Sequence, residues 1–401
     1  MKSPELIARP IAPATLRFTG ENSAFRRLVV RGALLELITF GFYRFWLATD
    51  MRRHLWSNTE IDGDALEYTG RCKELLLGFL IALAILAPVF LAYFLVGLAF
   101  ERVKAFASLP LYAFFYLFGQ FAVYRARRYR LTRTVWRGVR FWMTGSGSSY
   151  AWRSLLWGLL VILTLGFAYP WREAALERYK LGHTFYGNLP ARFEATGWQL
   201  FKRVWWIWLL GLAGCIAAVF VLLILSRIKL MNGAGLVGLL TIIMVFALPF
   251  LHAMRKATEW QWWAEGIRFG DLAVACDLKR DGLIGVYWVL IAMGLVVWLV
   301  FTTLGGLATV SMLVALGRTG VAAMMTHPPV WAFVLIAVWY LSMVLTFGVL
   351  LRIYTLQRIW QRVANACRLR NAEAATHVMA AGEAASALGE GLADGLDFAG
   401  F

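Results

Sequence analysis

Charge is scarce in this chain. Only 16% of its 401 residues are Asp, Glu, Lys or Arg, against about 25% in a typical soluble domain. Residues 75–100, 105–124, 204–225, 235–254, 283–317 and 330–351 contain none at all. Uncharged runs of that length exclude an ordinary water-soluble fold. About 20 residues of helix cross the hydrocarbon core, and only helices or closed barrels satisfy their backbone there.

Other absences narrow the chemistry. The four cysteines, Cys72, Cys215, Cys276 and Cys367, stand far apart with no CxxC pair, so neither a disulfide framework nor a zinc site is suggested. The histidines (His54, His183, His252, His327 and His377) show no HxxxH spacing. There is no nucleophile elbow, Walker loop or dinucleotide fingerprint. Glu36 is the one acid inside any apolar segment, so a paired-carboxylate mechanism has no material. Together these absences argue against an enzyme and against any metal or cofactor. The first twenty residues lack an uninterrupted apolar stretch before a cleavage site, so no signal peptide is expected.

What is present is hydrophobic: 60% of residues, with a mean hydropathy of +0.64. The expected fold class is an all-α polytopic membrane protein with short cytoplasmic extended elements. Two weaker apolar runs join the six above. Residues 28–49 hold Arg31, Glu36 and Arg44, and residues 151–171 hold Arg153. The net charge of +17 follows the positive-inside rule. The long segments between apolar runs each carry several basic residues, whereas 101–104, 226–234 and 318–329 carry one or two. This places the long segments and the C-terminus in the cytoplasm.

The chain also repeats itself. At a shift of 125, residues 19–59 fall on 144–184 without a gap, matching Thr19/Thr144, Gly20/Gly145, Thr39/Thr164, Gly41/Gly166 and Trp46/Trp171 among others. A third, degraded copy places Thr346 and Gly348 on Thr164 and Gly166. The reading is three degenerate repeats: 1–124 (segment 28–49, hairpin 75–124), 125–254 (segment 151–171, hairpin 204–254) and 255–401 (run 283–317, segment 330–351, tail). From 283 to 317 is about 52 Å of helix, too long for one span, so a turn at Gly305-Gly306 is expected. Six to nine segments would then enter the bilayer. Segments 28–49 and 151–171 have basic flanks on both sides. A re-entrant or bent path resolves that conflict; an ordinary span with imperfect charge bias is the alternative. The pairs Thr19-Gly20, Thr69-Gly70, Thr144-Gly145 and Thr196-Gly197 mark repeat boundaries, where Gly would supply a turn with φ > 0. Alternation around "TEIDGDALEYTG" and "VRFWMTG" suggests short strands.

The combination of "FTG", "LTFG" or "LTLGFAYPW", a basic helix with "HT", a second "TG", "YRLTRTVWRGVRF" and the tail "GEGLADGLDFAGF" resembles the YjgN-like family of bacterial inner-membrane proteins, a domain of unknown function. The resemblance runs from about Phe18 to Phe401. It implies a multi-pass inner-membrane protein and no particular substrate. The third copy departs from it, since "LTFGVLLRIY" lacks the aromatic-Pro-Trp found at Tyr169, Pro170 and Trp171.

Three groups of residues are candidates. Thr39, Gly41, Thr164, Gly166, Thr346 and Gly348 combine a threonine able to bond back to a helix carbonyl with a glycine that admits a neighbouring backbone; they are packing notches or hinges facing a cavity. Glu36 is a functional candidate by its membrane depth, with Arg31 and Arg44 as local partners in an ion pair. Arg125, Arg127, Arg128, Arg130, Arg133, Arg137 and Arg140, interleaved with aromatics, suit anionic lipid headgroups better than nucleic acid. Trp205, Trp206, Trp208, Trp260, Trp262 and Trp263 mark membrane interfaces. The acidic tail has that basic strip as its nearest complement. Function divides between transport- or channel-like handling of a small or lipidic anion and an envelope-organising role without transport; a lipid-modifying enzyme comes third.

Overall fold

The computed structural model describes residues 14–99, 104–227, 233–326, 329–375 and 378–382. One local pattern builds it: a strand runs to a rim, a pair of helices leaves and returns, and a second strand runs back. The first instance is β1 (Ala14–Phe18), α1 (Asn22–Ile38), α2 (Arg44–Ser57) and β2 (Thr59–Ile61). The second is β3 (Asp64–Ala65) continuing through Leu66 into β4 (Glu67–Tyr68), then α3 (Cys72–Ala99), α4 (Lys104–Thr132) and β5 (Thr134–Trp136). The third is β6 (Val139–Met143), α5 (Gly147–Leu163), α6 (Tyr169–Leu181) and β7 (Thr184–Tyr186). The fourth is β8 (Leu189–Phe193), α7 (Gly197–Arg227), α8 (Gly233–Gly266) and β9 (Ile267–Phe269). The fifth is β10 (Leu272–Cys276), α9 (Arg280–Thr326), α10 (Val330–Leu351), a π-helical stretch (Arg352–Arg358), α11 (Ile359–Ala366) and β11 (Cys367–Arg370). The expected boundaries at 124 and 254 fall inside α4 and α8.

The strands form one antiparallel meander in the order β3-β2-β1-β11-β10-β9-β8-β7-β6-β5-β4. Its two ends are separated by Leu66 alone, and the Leu66 N–H donates to the Thr59 carbonyl at 2.9 Å. The sheet therefore closes into a barrel, which leaves no open edge to pair with another chain. The all-α expectation is corrected here. The strands foreseen around residues 59–68 and 139–143 are present, but they belong to a sheet that runs the length of the chain. Strands of two to five residues are too short for period-2 alternation to stand out beside helices of thirty.

Alternation does hold once the strands are aligned. Leu16, Ile61, Trp136, Phe141, Tyr186, Val274 and Leu369 fill the interior, and Ala375 and Val378 pack against them from the segment beyond β11. The opposite face carries Arg17, Glu60, Glu67, Arg192 and Arg368. Two-residue turns close one end, at Asp62-Gly63, Arg137-Gly138, Gly187-Asn188 and Gly270-Asp271. Left-handed residues in these turns match the twist of the flanking strands, and Asp62, Gly63, Arg137, Gly138, Gly187 and Gly270 all have positive φ. The fifth gap, between β11 and β1, is where the chain enters and leaves.

At the other rim, one hydrogen bond recurs beneath each helical excursion. The N–H just past the outgoing strand donates to the carbonyl just before the returning one. The pairs are Thr19→Asn58 (2.9 Å), Thr69→Arg133 (2.8 Å), Thr144→His183 (2.8 Å), Glu194→Gly266 (2.9 Å) and Asp277→Ala366 (2.9 Å). This accounts for the recurring TG: in three units its threonine closes the ladder where the helices depart. Positive φ is not the reason for most of these glycines, since Gly145 alone of the four has it, at 82°. At Gly20 and Gly70 a Cβ would meet the rings of Phe18 and Tyr68 at 2.6 and 2.5 Å, so the aromatic two residues earlier excludes a side chain.

All five helical excursions therefore begin and end at one rim. Each helix packs against its neighbours in sequence, and α10 packs against α1, closing a ring. Four stretches are long and apolar enough to cross a membrane among the described residues: Cys72–Leu95, Gly197–Arg227, Asp281–Met312 and Val330–Ala366. Helix α9 runs straight through Gly305-Gly306; the expected turn is absent there. In lipid nothing competes for the backbone hydrogen bonds, so two glycines do not suffice to end a helix. The non-helical residue is Gly317, with φ 61° and ψ −177°.

Candidate functional site

The two short excursions turn through the same geometry. Thr39 ends α1, the Phe40 N–H donates to the Leu37 carbonyl (3.3 Å) and the Gly41 N–H to the Glu36 carbonyl (2.7 Å). In the third unit Leu165 bonds Ile162 (3.0 Å) and Gly166 bonds Val161 (2.6 Å). This is a Schellman closure, with φ near 50° at Phe40 and Leu165 and 89° at both glycines. The threonine joins both helices. Thr39 Oγ1 donates to the Leu35 carbonyl at 2.7 Å and accepts the Tyr43 N–H at 3.0 Å; Thr164 Oγ1 does the same with Leu160 (2.8 Å) and Ala168 (3.1 Å). In these two units, Thr and Gly two apart cap the helical reversal.

The reversals do not face a cavity. Phe40 and Leu165 are 81% and 82% exposed at the apices, beside exposed Ile38, Phe42, Leu163 and Phe167. A Cβ on Gly41 would meet nothing within 4 Å, whereas one on Gly166 would strike the Trp208 ring at 2.2 Å. Thr346 and Gly348 make no reversal: both lie within continuous α10, and Thr346 Oγ1 only bonds back to the Ser342 carbonyl at 2.8 Å. Gly348 leads into Val349-Leu350-Leu351, which extends a helix. Gly166 leads toward Pro170, which starts one.

Glu36 is 2% exposed and is held in a two-pronged ion pair, but not by Arg31 or Arg44. Its partner is Arg352, 316 residues away, whose two terminal nitrogens each lie 3.0 Å from a carboxylate oxygen. The pair ties α1 to the start of the π-helical stretch, at the seam where the ring closes.

The arginine strip is divided. Arg127 binds Glu177 at 3.1 Å, Arg133 binds Glu74 at 2.9 Å, and Arg137 binds Asp64 (2.5 Å) and Asp62 (3.4 Å). Arg125 covers the Phe121 ring. Arg125, Arg127, Arg128 and Arg130 belong to the end of α4, Arg133 comes just after it, Arg137 is in a turn, and Arg140 is on β6. Three members are thus neutralised within the chain. The tryptophans divide too. The Trp262 and Trp263 indoles donate to the Thr196 carbonyl and to Glu177, both at 3.0 Å, while Trp205 and Trp208 are exposed.

A polar cluster that no sequence motif announces lies around α6. Glu177 receives Arg127 from α4, Trp263 from α8 and Lys180 from its own helix. Burial alone would raise its pKa, but Lys180 and Arg127 outweigh it and hold the group down at about 2. One turn toward the apex, Glu173 pairs with Arg172 at 2.5 Å, and burial pushes its pKa up. Arg172 also donates to Ser154 at 3.3 Å, which bonds Gln120 at 3.0 Å and Tyr116 at 3.0 Å. Beyond it, the Tyr169 hydroxyl donates to Glu259 at 2.8 Å, and Arg255 reaches both. These groups come from α4, α5, α6 and α8. Each is unremarkable in its own polar segment, and only Glu173, Glu177 and Lys180, at helical spacing on one face, hinted at it. No group of residues suited to a metal ion occurs among the described residues. The cluster can hold buried charge of both signs.

A family model described as a bacterial protein of unknown function (DUF898) matches residues 13–395. The chain belongs to this family. The YjgN-like resemblance is thereby confirmed, for that group is DUF898. No curated protein and no solved structure matches the chain. For this DUF898 member the membrane character rests on its own apolar helices.

Proposed function

We propose that this protein is a multi-pass protein of the bacterial inner membrane that organises lipid around a cytoplasmic barrel, without conducting a solute. The observation that supports this is how little of the spanning helices the protein itself covers. In the four membrane-length stretches, between 6% and 22% of the most apolar window is buried. From Trp208 to Arg227, α7 exposes residues on every side and buries only Ala218. A helix that apolar on all faces needs lipid, or a partner, on all faces.

The lengths fit such a seat. Helix α7 is about 46 Å long and α3 about 42 Å, while α5 is about 26 Å. The hydrocarbon core is about 30 Å thick. With Arg153 at headgroup level, the apex of α5 reaches roughly 16 Å into lipid, about halfway. The short excursions enter and return, so the basic flanks of residues 28–49 and 151–171 share the cytoplasmic side. The barrel beneath is filled by its own apolar side chains, which argues against a conduit along its axis, and no catalytic step is invoked.

Transport-like handling of a lipidic anion is the second reading, favoured by the buried Arg172–Glu173 pair at the edge of the bilayer. Reconstitution tests the choice. Proteoliposomes should hold a chloride or sulfate gradient as well as protein-free vesicles do. Protein exchanged into detergent should retain several phospholipids by native mass spectrometry. Gradient collapse, or full delipidation with the fold intact, would overturn the lipid-organising reading.

A further inference from the structure

The four cysteines are scattered in sequence, yet the barrel sets two of them face to face. Cys276 ends β10 and Cys367 begins β11, directly opposite in register. The Asp277 N–H donates to the Ala366 carbonyl at 2.9 Å, which makes 277 and 366 a hydrogen-bonded pair and leaves 276 and 367 a non-bonded one. Non-bonded antiparallel pairs bring their Cα atoms to about 4.5 Å and their side chains closest together, within the range a disulfide bridges. The Cys367 thiol donates to the Cys276 sulfur at 2.8 Å. Both are free thiols, 3% and 5% exposed, enclosed by Ala257, Leu278, Leu283, Val286 and Ile359.

We propose that Cys276 and Cys367 are a reversible dithiol site, oxidised by a small peroxide to a disulfide that fastens β10 to β11 across the foot of the fifth helical excursion. The two sulfurs are not equivalent. The bond from Cys367 draws the Cys276 pKa down against the effect of burial, helped by a backbone hydrogen bond from Leu278, and the same bond with burial pushes Cys367 up. With the Cys367 thiol donating to it, the Cys276 sulfur is assigned as the attacking thiolate. It attacks one peroxide oxygen, the O–O bond breaks, and the departing hydroxide takes up a proton to leave as water, with Cys276 left as a sulfenic acid. The Cys367 thiol then attacks that sulfur; the S–S bond forms, the S–O bond breaks, and the second water leaves with the thiol proton. Two thiols and one hydrogen peroxide give one disulfide and two waters. Burial to 3% and 5% exposure favours a small oxidant over a peptide disulfide such as oxidised glutathione.

The test uses the full chain in nanodiscs, treated with graded hydrogen peroxide and then denatured, alkylated and mapped by mass spectrometry. The expected product is a peptide joining Cys276 to Cys367, lost on dithiothreitol treatment. In a Cys367→Ser variant the reaction should stop at a sulfenic acid on Cys276 that dimedone traps; in Cys276→Ser, Cys367 should react at least tenfold more slowly. The unsubstituted protein alone is decisive if either variant fails to fold. Both thiols staying reduced while the exposed Cys215 oxidises, or Cys276 passing to sulfinic acid without a crosslink, would overturn the proposal.

Discussion

The hairpins α1–α2 and α5–α6 share a backbone and almost none of their buried chemistry. Their turns match in hydrogen bonding and in φ to within a degree at the glycine. Along α6 the cluster contains Tyr169, Arg172, Glu173, Glu177 and Lys180. The positions 125 earlier in α2 are Arg44, Leu47, Ala48, Arg52 and Leu55. Leu47 and Leu55 instead join an apolar core with Phe25, Val29, Met51 and Trp56. The first hairpin keeps two buried charges, Arg52 and Glu36, and where Glu36 stands the third unit has Val161. The reversal depends on a few capping bonds and two left-handed residues, so it survives any interior. The interior depends on which neighbours arrive: α4 and α8 bring charge to α6, whereas α1 and the end of the chain bring mostly aliphatic and aromatic groups to α2.

The largest effect that separates the hairpins should come from Glu177→Gln. It strands Arg127 and Lys180 in a buried site, and breaking such a pair costs about 3–5 kcal/mol. Arg52→Gln, at the aligned position, should cost less than half as much. Thermal unfolding in detergent measures both. Equal losses would mean that the clusters do not distinguish the two hairpins.

Acid should sharpen the same contrast. The folded pKa of Glu177 is depressed to about 2, so its stabilising contribution is full above the unfolded carboxylate value near 4.5 and is lost as pH falls toward 2. The loss is on the order of 3 kcal/mol. Glu173 has the opposite sign: its raised folded pKa gives stability that is full below the unfolded value and declines as pH rises through the folded one. Between pH 4.5 and 2, wild type should therefore lose stability that Glu177→Gln has already lost, and unfolding curves across that window should converge.

Next comes the ring seam. A double-mutant cycle on Glu36→Gln and Arg352→Gln should show coupling of about 1–3 kcal/mol. Arg31 paired with Glu36 in the same cycle should show almost none; coupling to Arg31 instead would place the ion pair wrongly.

The smallest difference concerns the turns. Gly41→Ala carries only the strain of a left-handed alanine, about 1–2 kcal/mol. Gly166→Ala carries that strain plus displacement of Trp208, so its melting temperature should fall further. Identical shifts would mean that Trp208 yields freely.

Much of the architecture was legible because it is local. Uncharged runs marked helices long and apolar enough to cross a membrane, and Thr–x–Gly marked two helical reversals. The TG pairs marked the rim, although for a reason other than left-handed turns. Thr346 and Gly348 misled because Thr–x–Gly is not sufficient alone: α10 continues through both as an unbroken helix. The polar cluster was hidden because its members lie in segments that each look ordinary.

By itself, the sequence determined that the chain enters a membrane, where the helices lie and where two of them fold back, since hydrophobic length and capping act over a few residues. Only the tertiary structure decided that eleven short strands close into one barrel, that Glu36 meets Arg352, that Glu177 gathers partners from three helices and that Cys276 faces Cys367. Those outcomes depend on register around a closed ring, and register is set by every strand together.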